Sequence, residues 1–173
     1  MARKKRHGEE QKQRDDLAGE HRVGDAGQII LACLFFMTWI ADTFFLQYST
    51  YLNHYVPQGI RIPLGVVLLV LSTILAGKGL SIVFGEKRET PGVIRKNVFG
   101  VVRHPIYLSE ILLYLGLLIL SISLAAAAVW VITIVFLHGI SRYEERLLLA
   151  RFGEDYKKYM RDVPMWIPRL RKR

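Results

Sequence analysis

A single cysteine, Cys33, rules out any disulfide framework within the chain. It sits in an apolar run, where it is a small lipid- or helix-facing residue. Acidic residues are few: 15 Asp and Glu against 24 Lys and Arg leave a net charge of +9. The excess is not spread as on a soluble nucleic-acid-binding module, which shows its charge on a soluble fold. Hydrophobic residues make up 51% of the chain, and charge is segregated from long apolar runs whose only Asp, Glu, Lys or Arg are Asp42, Lys78 and Glu110. That pattern excludes nucleic acid as the partner and points to membrane lipids. A typical signal peptide is missing as well, because the basic start (Arg3, Lys4, Lys5, Arg6) leads into mixed charge through Asp25 rather than an apolar core. Residues 1–27 have too few large apolar side chains to bury and are expected to form a flexible tail. Its interleaved Glu9, Glu10, Asp15 and Asp16 weaken any attraction to anionic headgroups.

Four apolar runs follow, predicting spans at about 28–48, 62–84, 106–124 and 125–140. The expected fold is all-α: a single membrane domain over 28–173 with about four transmembrane helices. The last two are expected to close as a tight hairpin turning near Ser121 and Ser123, with Ala125 to Ala128 allowing close backbone approach. Residues 141–173 follow as a cytoplasmic segment with an amphipathic helix. Seven Lys and Arg precede the first span, five lie between the second and third, ten follow Ser141, and the remaining connection has only Arg61. Four spans place both termini and the central loop on one side, and the positive-inside rule makes that side cytoplasmic. Within the spans, Lys78 is near enough to a helix end to snorkel. Asp42, towards the outer face, fits a solvated or helix-capping role. Gly77 and Gly79 allow a close neighbour or loosen a helix end.

The stretch that packing does not explain is Arg103-His104-Pro105-Ile106-Tyr107, where a charged loop enters the third span. Proline suits the first helical turn and drives the residue before it out of the α region. His104 and Arg103 therefore belong to the loop side of the mouth. Past the fourth span, Glu145, Leu149, Phe152, Tyr156 and Tyr159 recur at four, three, four and three, the spacing of one helix face, with Glu144 beside them. An interfacial helix with Tyr at the headgroups would explain the aromatics. It does not explain the acidic pair, since a cytoplasmic membrane surface favours Lys and Arg. Both clusters belong to the open end of the same hairpin, so an arginine, a histidine, a tyrosine and two carboxylates are expected around one mouth at the membrane edge.

These residues, with Leu148, Phe152-Gly153, Val163-Pro164 and Ile167-Pro168-Arg169, resemble the isoprenylcysteine carboxyl methyltransferase and phospholipid methyltransferase family of integral membrane enzymes. The resemblance covers about the C-terminal half of the chain. It implies S-adenosylmethionine as methyl donor and a lipid-like or prenylated acceptor entering from the membrane, with carboxylate O-, amine N- or thiol S-methylation all open. It also implies a cofactor site formed by Phe99, Val102, Arg103, His104, Pro105, Tyr107, Glu144, Glu145 and Tyr156, with no metal. Arg103, His104 and Glu145 are the expected catalytic residues: Arg103 to pair with the donor's carboxylate, Glu145 with its ammonium or ribose, and His104 to hydrogen-bond the donor or accept a proton. Two departures stand out. The family usually has Gly-x-Tyr where this chain has Asn97 and Phe99, which is expected to alter the loop's path, and Gly where it has Ser109. Glu110 completes a string resembling the related NADPH-dependent membrane reductases of steroid-type double bonds, the second enzyme class considered. An inactive scaffold of the same fold is the third. On family analogy, a bacterial or archaeal plasma membrane is expected rather than endoplasmic reticulum.

Overall fold

The computed structural model describes residues 22–85 and 92–168, apart from the side chains of residues 22 and 23. Most of the expected tail, through residue 21, lies outside the described residues, as do Lys87, Arg88 and Arg169. Among the described residues five α-helices carry the fold: α1 (Arg22–Ile40), α2 (Gln58–Gly85), α3 (Pro105–Ser121), α4 (Leu124–Phe152) and α5 (Glu154–Asp162). The chain is an all-helical membrane protein. The apolar segments Gly24–Leu46, Gln58–Gly85 and Leu124–Phe152 are each long enough to cross a bilayer, and α3 is a shorter apolar helix. At 1.5 Å per residue α3 covers about 25 Å, just short of a hydrocarbon core of roughly 30 Å. Ile29, Ile30, Met37, Val66, Val67, Val131, Ile132 and Val135 face outward, as side chains solvated by lipid do.

α1 continues as a π-helical stretch over Ala41–Leu46, and this end of the molecule is held by Asp42. Its Oδ2 accepts from Ser49 Oγ and Ser123 Oγ, both at 2.5 Å, and its Oδ1 from the Ser49 amide at 3.0 Å. Ser123 in turn caps α4 by accepting from the Ala126 amide. The capping role expected of Asp42 is therefore exercised through Ser123, and all three groups are satisfied without water. The turn between α3 and α4 is Ile122-Ser123, with Ile122 at φ 44°, between the two serines that marked it in the sequence.

A close helix approach lies between α2 and α3 rather than within the hairpin where the alanines suggested it. Gly65 and Gly116 face each other so tightly that a Cβ on Gly65 would meet the Leu120 side chain at 2.7 Å and the Gly116 carbonyl at 3.1 Å. Further along, Ser72 donates to the Ser109 carbonyl at 2.7 Å, and a Cβ on Gly79 would meet Ile106 at 2.8 Å. Gly65, Ser72 and Gly79 are seven apart, as are Ser109 and Gly116. Small residues at this period make a seam on which two antiparallel helices can close. Of the alanines, Ala126 is buried against α1 in the core with Phe35, Tyr114, Leu118 and Val129. Phe35 and Tyr114 stack there with ring centroids 4.0 Å apart.

α4 passes the expected end of the fourth span at residue 140 without interruption. Glu144, Glu145, Arg146 and Leu147 to Leu149 are good helix formers, and nothing breaks the helix before Gly153. Gly153 has φ +56°, where a Cβ would be strained, and it separates α4 from α5. The amphipathic helix expected over 147–160 is thus two helices. Within α4 itself Leu149 is exposed and Leu148, three residues after Glu145, lines the cavity.

Candidate active site

The loop into α3 is shaped at Asn97, which has φ +55°. Glycine is favoured in that region and asparagine is among the few other residues that enter it readily. Asn97, standing where the family usually has glycine, thus adopts a left-handed conformation here. After a short 3-10 turn over Asn97–Gly100, Phe99 faces a cavity and its carbonyl accepts from the Tyr159 hydroxyl at 2.7 Å. His104 caps α3 with φ −121° and ψ 65°, outside the α region as the following proline requires, and Pro105 opens the helix.

Arg103 and Glu145 meet at 2.8 Å, Nε to Oε1, and both side chains are buried. Arg103 Nη1 also donates to the carbonyls of Met160 and Val163, at 2.9 and 2.5 Å. Its backbone amide donates to Pro164 at 2.9 Å, and the His104 amide to Met165 at 3.3 Å. The segment after α5 is therefore held along the loop before α3, which accounts for Val163-Pro164 belonging with the other motifs. His104 lies between the two acids, Nε2 at 3.3 Å from Glu145 Oε1 and Nδ1 at 3.6 Å from Glu144 Oε2. The Tyr107 hydroxyl donates to Glu144 Oε1, and the Tyr107 ring lies parallel to that of His104. The basic-aromatic doorstep and the acidic pair, forty residues apart in sequence, thus form one hydrogen-bonded cluster.

The cluster forms the polar side of a cavity of about 300 Å3, at the lower end of the size range of small-molecule sites. Of the residues expected at a cofactor site, Phe99, Arg103, His104, Pro105, Tyr107, Glu144 and Tyr156 line it. Val102 and Glu145 do not: Val102 is 1% exposed in the core, and Glu145 lies behind Arg103 and His104 with Oε2 buried and unpartnered. Sequence reasoning missed Asp25 and Gln28 of α1, Leu80, Val83 and Phe84 of α2, and Val93 and Ile94 of the loop, all of which line the cavity. Asp25 fell within the presumed tail and Leu80, Val83 and Phe84 within an ordinary span, so neither carried a signal. Glu110 sits one step back, accepting from Gln28 Nε2 at 2.7 Å and from the Tyr114 hydroxyl at 2.8 Å. Burial raises the Tyr156 and Tyr159 hydroxyls well above the ordinary phenol range, so both are neutral at any physiological pH. Among the described lining residues the acids are Asp25 and Glu144, and the only Lys or Arg is Arg103, whose charge Glu145 offsets.

The model of the family described as 3-oxo-5-alpha-steroid 4-dehydrogenase matches residues 25–170. The chain belongs to that family. A methanethiol S-methyltransferase of Crocosphaera subtropica is 31% identical over 150 residues, which are 85% of this chain and 49% of that protein. The cobalt-zinc-cadmium resistance protein CzcN of Cupriavidus metallidurans is 32% identical over 87 residues, 50% of this chain and 39% of that one. The chain thus spans about half the length, or less, of these curated relatives. A solved structure of the eukaryotic intramembrane Ras methyltransferase ICMT, isoprenylcysteine carboxyl methyltransferase, superposes with a TM-score of 0.60 at 22% identity, covering 86% of this chain and 53% of that one. The fold is ICMT-like, as the motifs around Arg103 and Glu145 implied.

Proposed function

We propose that the chain transfers a methyl group from S-adenosylmethionine to an acceptor reaching the cavity from the membrane. The observation that carries this is the set of acids along the polar end of the cavity, where Arg103 is already neutralised by Glu145. Carboxylates beside aromatic walls suit a ligand with an ammonium, a sulfonium and an adenine. The phosphates of a dinucleotide would instead need several free cations. When bound, the donor supplies a sulfonium methyl that passes to a nucleophile by direct displacement, the sulfur keeping the bonding pair. Holding the reactants in line is the chain's main task and lowers a barrier by about 7–11 kcal/mol in favourable cases.

Glu144 binds the ammonium or a ribose hydroxyl, with Tyr107 and His104 fixing its orientation. Arg103, with Nε and Nη1 engaged by Glu145, Met160 and Val163, offers its remaining Nη2 to the donor's carboxylate. Phe99 and Tyr156 flank the adenine. Glu145 acts through Arg103 and His104, which makes it a positioning residue. The apolar wall of Leu80, Val83 and Phe84 from α2 and Leu148 from α4 accepts the acceptor's hydrocarbon part. Carboxylate, amine and thiol acceptors all fit that wall, and the name of the C. subtropica relative favours a thiol. The basic termini and central loop favour a cytoplasmic cavity.

A second reading, reduction of a steroid-type double bond with NADPH, has two supports: the family's description, and Glu110 held behind Gln28 at the cavity. Titrating the detergent-purified protein separately with S-adenosylmethionine and NADPH distinguishes them. Saturable binding of S-adenosylmethionine is expected, with transfer of labelled methyl to an alkanethiol or to a component of a total lipid extract. Binding of NADPH alone would replace the proposal by the reductase. Binding of neither would leave a scaffold.

A further inference from the structure

Among the polar groups of the active-site cavity, the proposed reaction gives no task to the side-chain amide of Gln28. Gln28 stands one turn after Asp25 on α1, half-buried, and both residues line the cavity. Three apart, they share a face of the helix. Gln28 Nε2 donates to Glu110 Oε2 at 2.7 Å, and Glu110 Oε1 accepts from the Tyr114 hydroxyl at 2.8 Å. Tyr114 is in turn fixed in the core by its stack on Phe35. Glu110 thus accepts at both oxygens, and no Lys or Arg among the described residues pairs with it. A carboxylate that accepts at both oxygens can hold a glutamine amide only by its NH2 end. That bond therefore fixes which way the amide of Gln28 is turned. Its Oε1 takes no donor among the described residues and is not sealed off, so it is open on the cavity side.

Charge around the cavity acts in the same sense. The acids of the described lining are Asp25 and Glu144, and its single Arg or Lys is Arg103, with Nε and Nη1 already engaged. On the methyl-transfer reading, on which this inference rests, the remaining Nη2 is taken by the donor's carboxylate. An acceptor bringing a second carboxylate would meet two acids and an open amide oxygen with no cation left to receive it. Like charges brought together in a desolvated site repel strongly. A head that carries a hydrogen on nitrogen or sulfur meets the opposite conditions, because Gln28 Oε1 can accept that hydrogen. We infer that the methyl acceptor is an alkyl thiol or amine rather than a carboxylate, and that Gln28 receives its N–H or S–H. Glu110 is the positioning residue that keeps the amide oxygen turned to the cavity. In the transfer, the acceptor's nitrogen or sulfur bonds to the methyl carbon as the methyl–sulfonium bond breaks, its pair staying on the donor's sulfur. A thiol's proton, made strongly acidic by methylation, passes to the exposed Asp25 carboxylate and on to water. An amine keeps its proton as the ammonium.

Initial rates of the full chain in detergent, with labelled S-adenosylmethionine and dodecanethiol, dodecylamine or dodecanoate, test this with three heads on one tail. Donor affinity is measured separately by calorimetric titration. The thiol or the amine should give a kcat/KM about tenfold or more above dodecanoate, as expected where a site is built around one hydrogen-bonding head. Gln28→Leu should raise KM for the preferred acceptor about threefold to tenfold, the worth of one hydrogen bond, with donor Kd and melting temperature near wild type. Glu110→Gln lets either end of the Gln28 amide face the cavity, since an amide there both donates and accepts. It should cut the preference over dodecanoate to about a third or less of the wild-type ratio. A wild-type preference for dodecanoate, methylation of none of the three heads, an unchanged KM in folded Gln28→Leu, or an undiminished preference in folded Glu110→Gln would overturn the inference while donor binding still stands. If neither variant folds, the head preference of the wild type decides. A wild-type chain that does not bind S-adenosylmethionine would instead bring down the methyl-transfer reading, and this inference with it.

Discussion

Glu144 and Glu145 are adjacent in sequence and about 100° apart around α4, and that rotation separates their tasks. Glu145 is 3% exposed and offsets the buried Arg103, whereas Glu144 borders the cavity. Replacing Glu145 by Gln leaves Arg103 without its counter-charge. Breaking a buried pair from one side costs about 3–5 kcal/mol, so Glu145→Gln should lower the melting temperature of the solubilised protein clearly. Glu144→Gln keeps the size and hydrogen bonding of a side chain that Tyr107 and His104 already hold. It should melt near wild type but bind S-adenosylmethionine about tenfold or more weakly, as measured by calorimetric titration. The opposite pattern, with Glu145→Gln stable and binding-deficient, would return Glu145 to the cavity. From sequence alone the two acids could be brought to one mouth, because hairpin topology and charge depend on position along the chain. Which of them faces the cavity could not be read, since it depends on how α4 is rotated against the loop before α3, which turns Glu145 behind Arg103 and leaves Glu144 at the cavity.

At the scale of the helix, the apolar runs marked the elements and the serines marked the α3–α4 turn, yet of the seam between α2 and α3 only Gly79 was singled out as a place for a close neighbour. The seam's members, Gly65, Ser72 and Gly79 against Ser109 and Gly116, are isolated small residues seven apart. The consecutive alanines 125–128 looked a better candidate because they are contiguous. Contiguity spreads residues around a helix, and only Ala126 of the four is buried in the core cluster. Seven-residue spacing keeps a single face. Ser109, read as a departure from a family glycine, belongs to that seam: its carbonyl accepts from Ser72 and its side chain is folded back onto the Ile106 carbonyl. The seam also holds the loop end of α3 against α2, which brings Leu80 and Val83 to the cavity. Gly65→Val should therefore destabilise by about 1–3 kcal/mol through overpacking against the Gly116 carbonyl. Gly77→Ala meets nothing within 4 Å and should be neutral or stabilising by up to about 1 kcal/mol. Thermal unfolding of both variants in one detergent separates them, and equal loss from the two would mean that helix propensity rather than close approach governs this pair.

For the whole molecule, the two ends of the bundle are chemically unlike. One holds the Arg103–Glu145 cluster and the candidate cofactor cavity; the other holds the Asp42 knot and Arg61. With Arg61 inside α2, the connection over residues 47–57 contains no Lys or Arg at all. The charge asymmetry is thus sharper than the loop boundaries drawn from sequence implied, and the positive-inside rule predicts that the 47–57 connection lies outside the cytoplasm. The single cysteine makes the orientation measurable. In a Cys33→Ser background, His54→Cys places a thiol on the exposed turn over Tyr51–His54, and Lys158→Cys places one on the exposed face of α5. A membrane-impermeant maleimide added to intact cells should label His54→Cys, and should label Lys158→Cys only after permeabilisation. Reversed labelling would put the candidate active site outside the cytoplasm. A cytoplasmic donor could not then reach it, and the methyl-transfer proposal would fail on access even with every residue of the site in place.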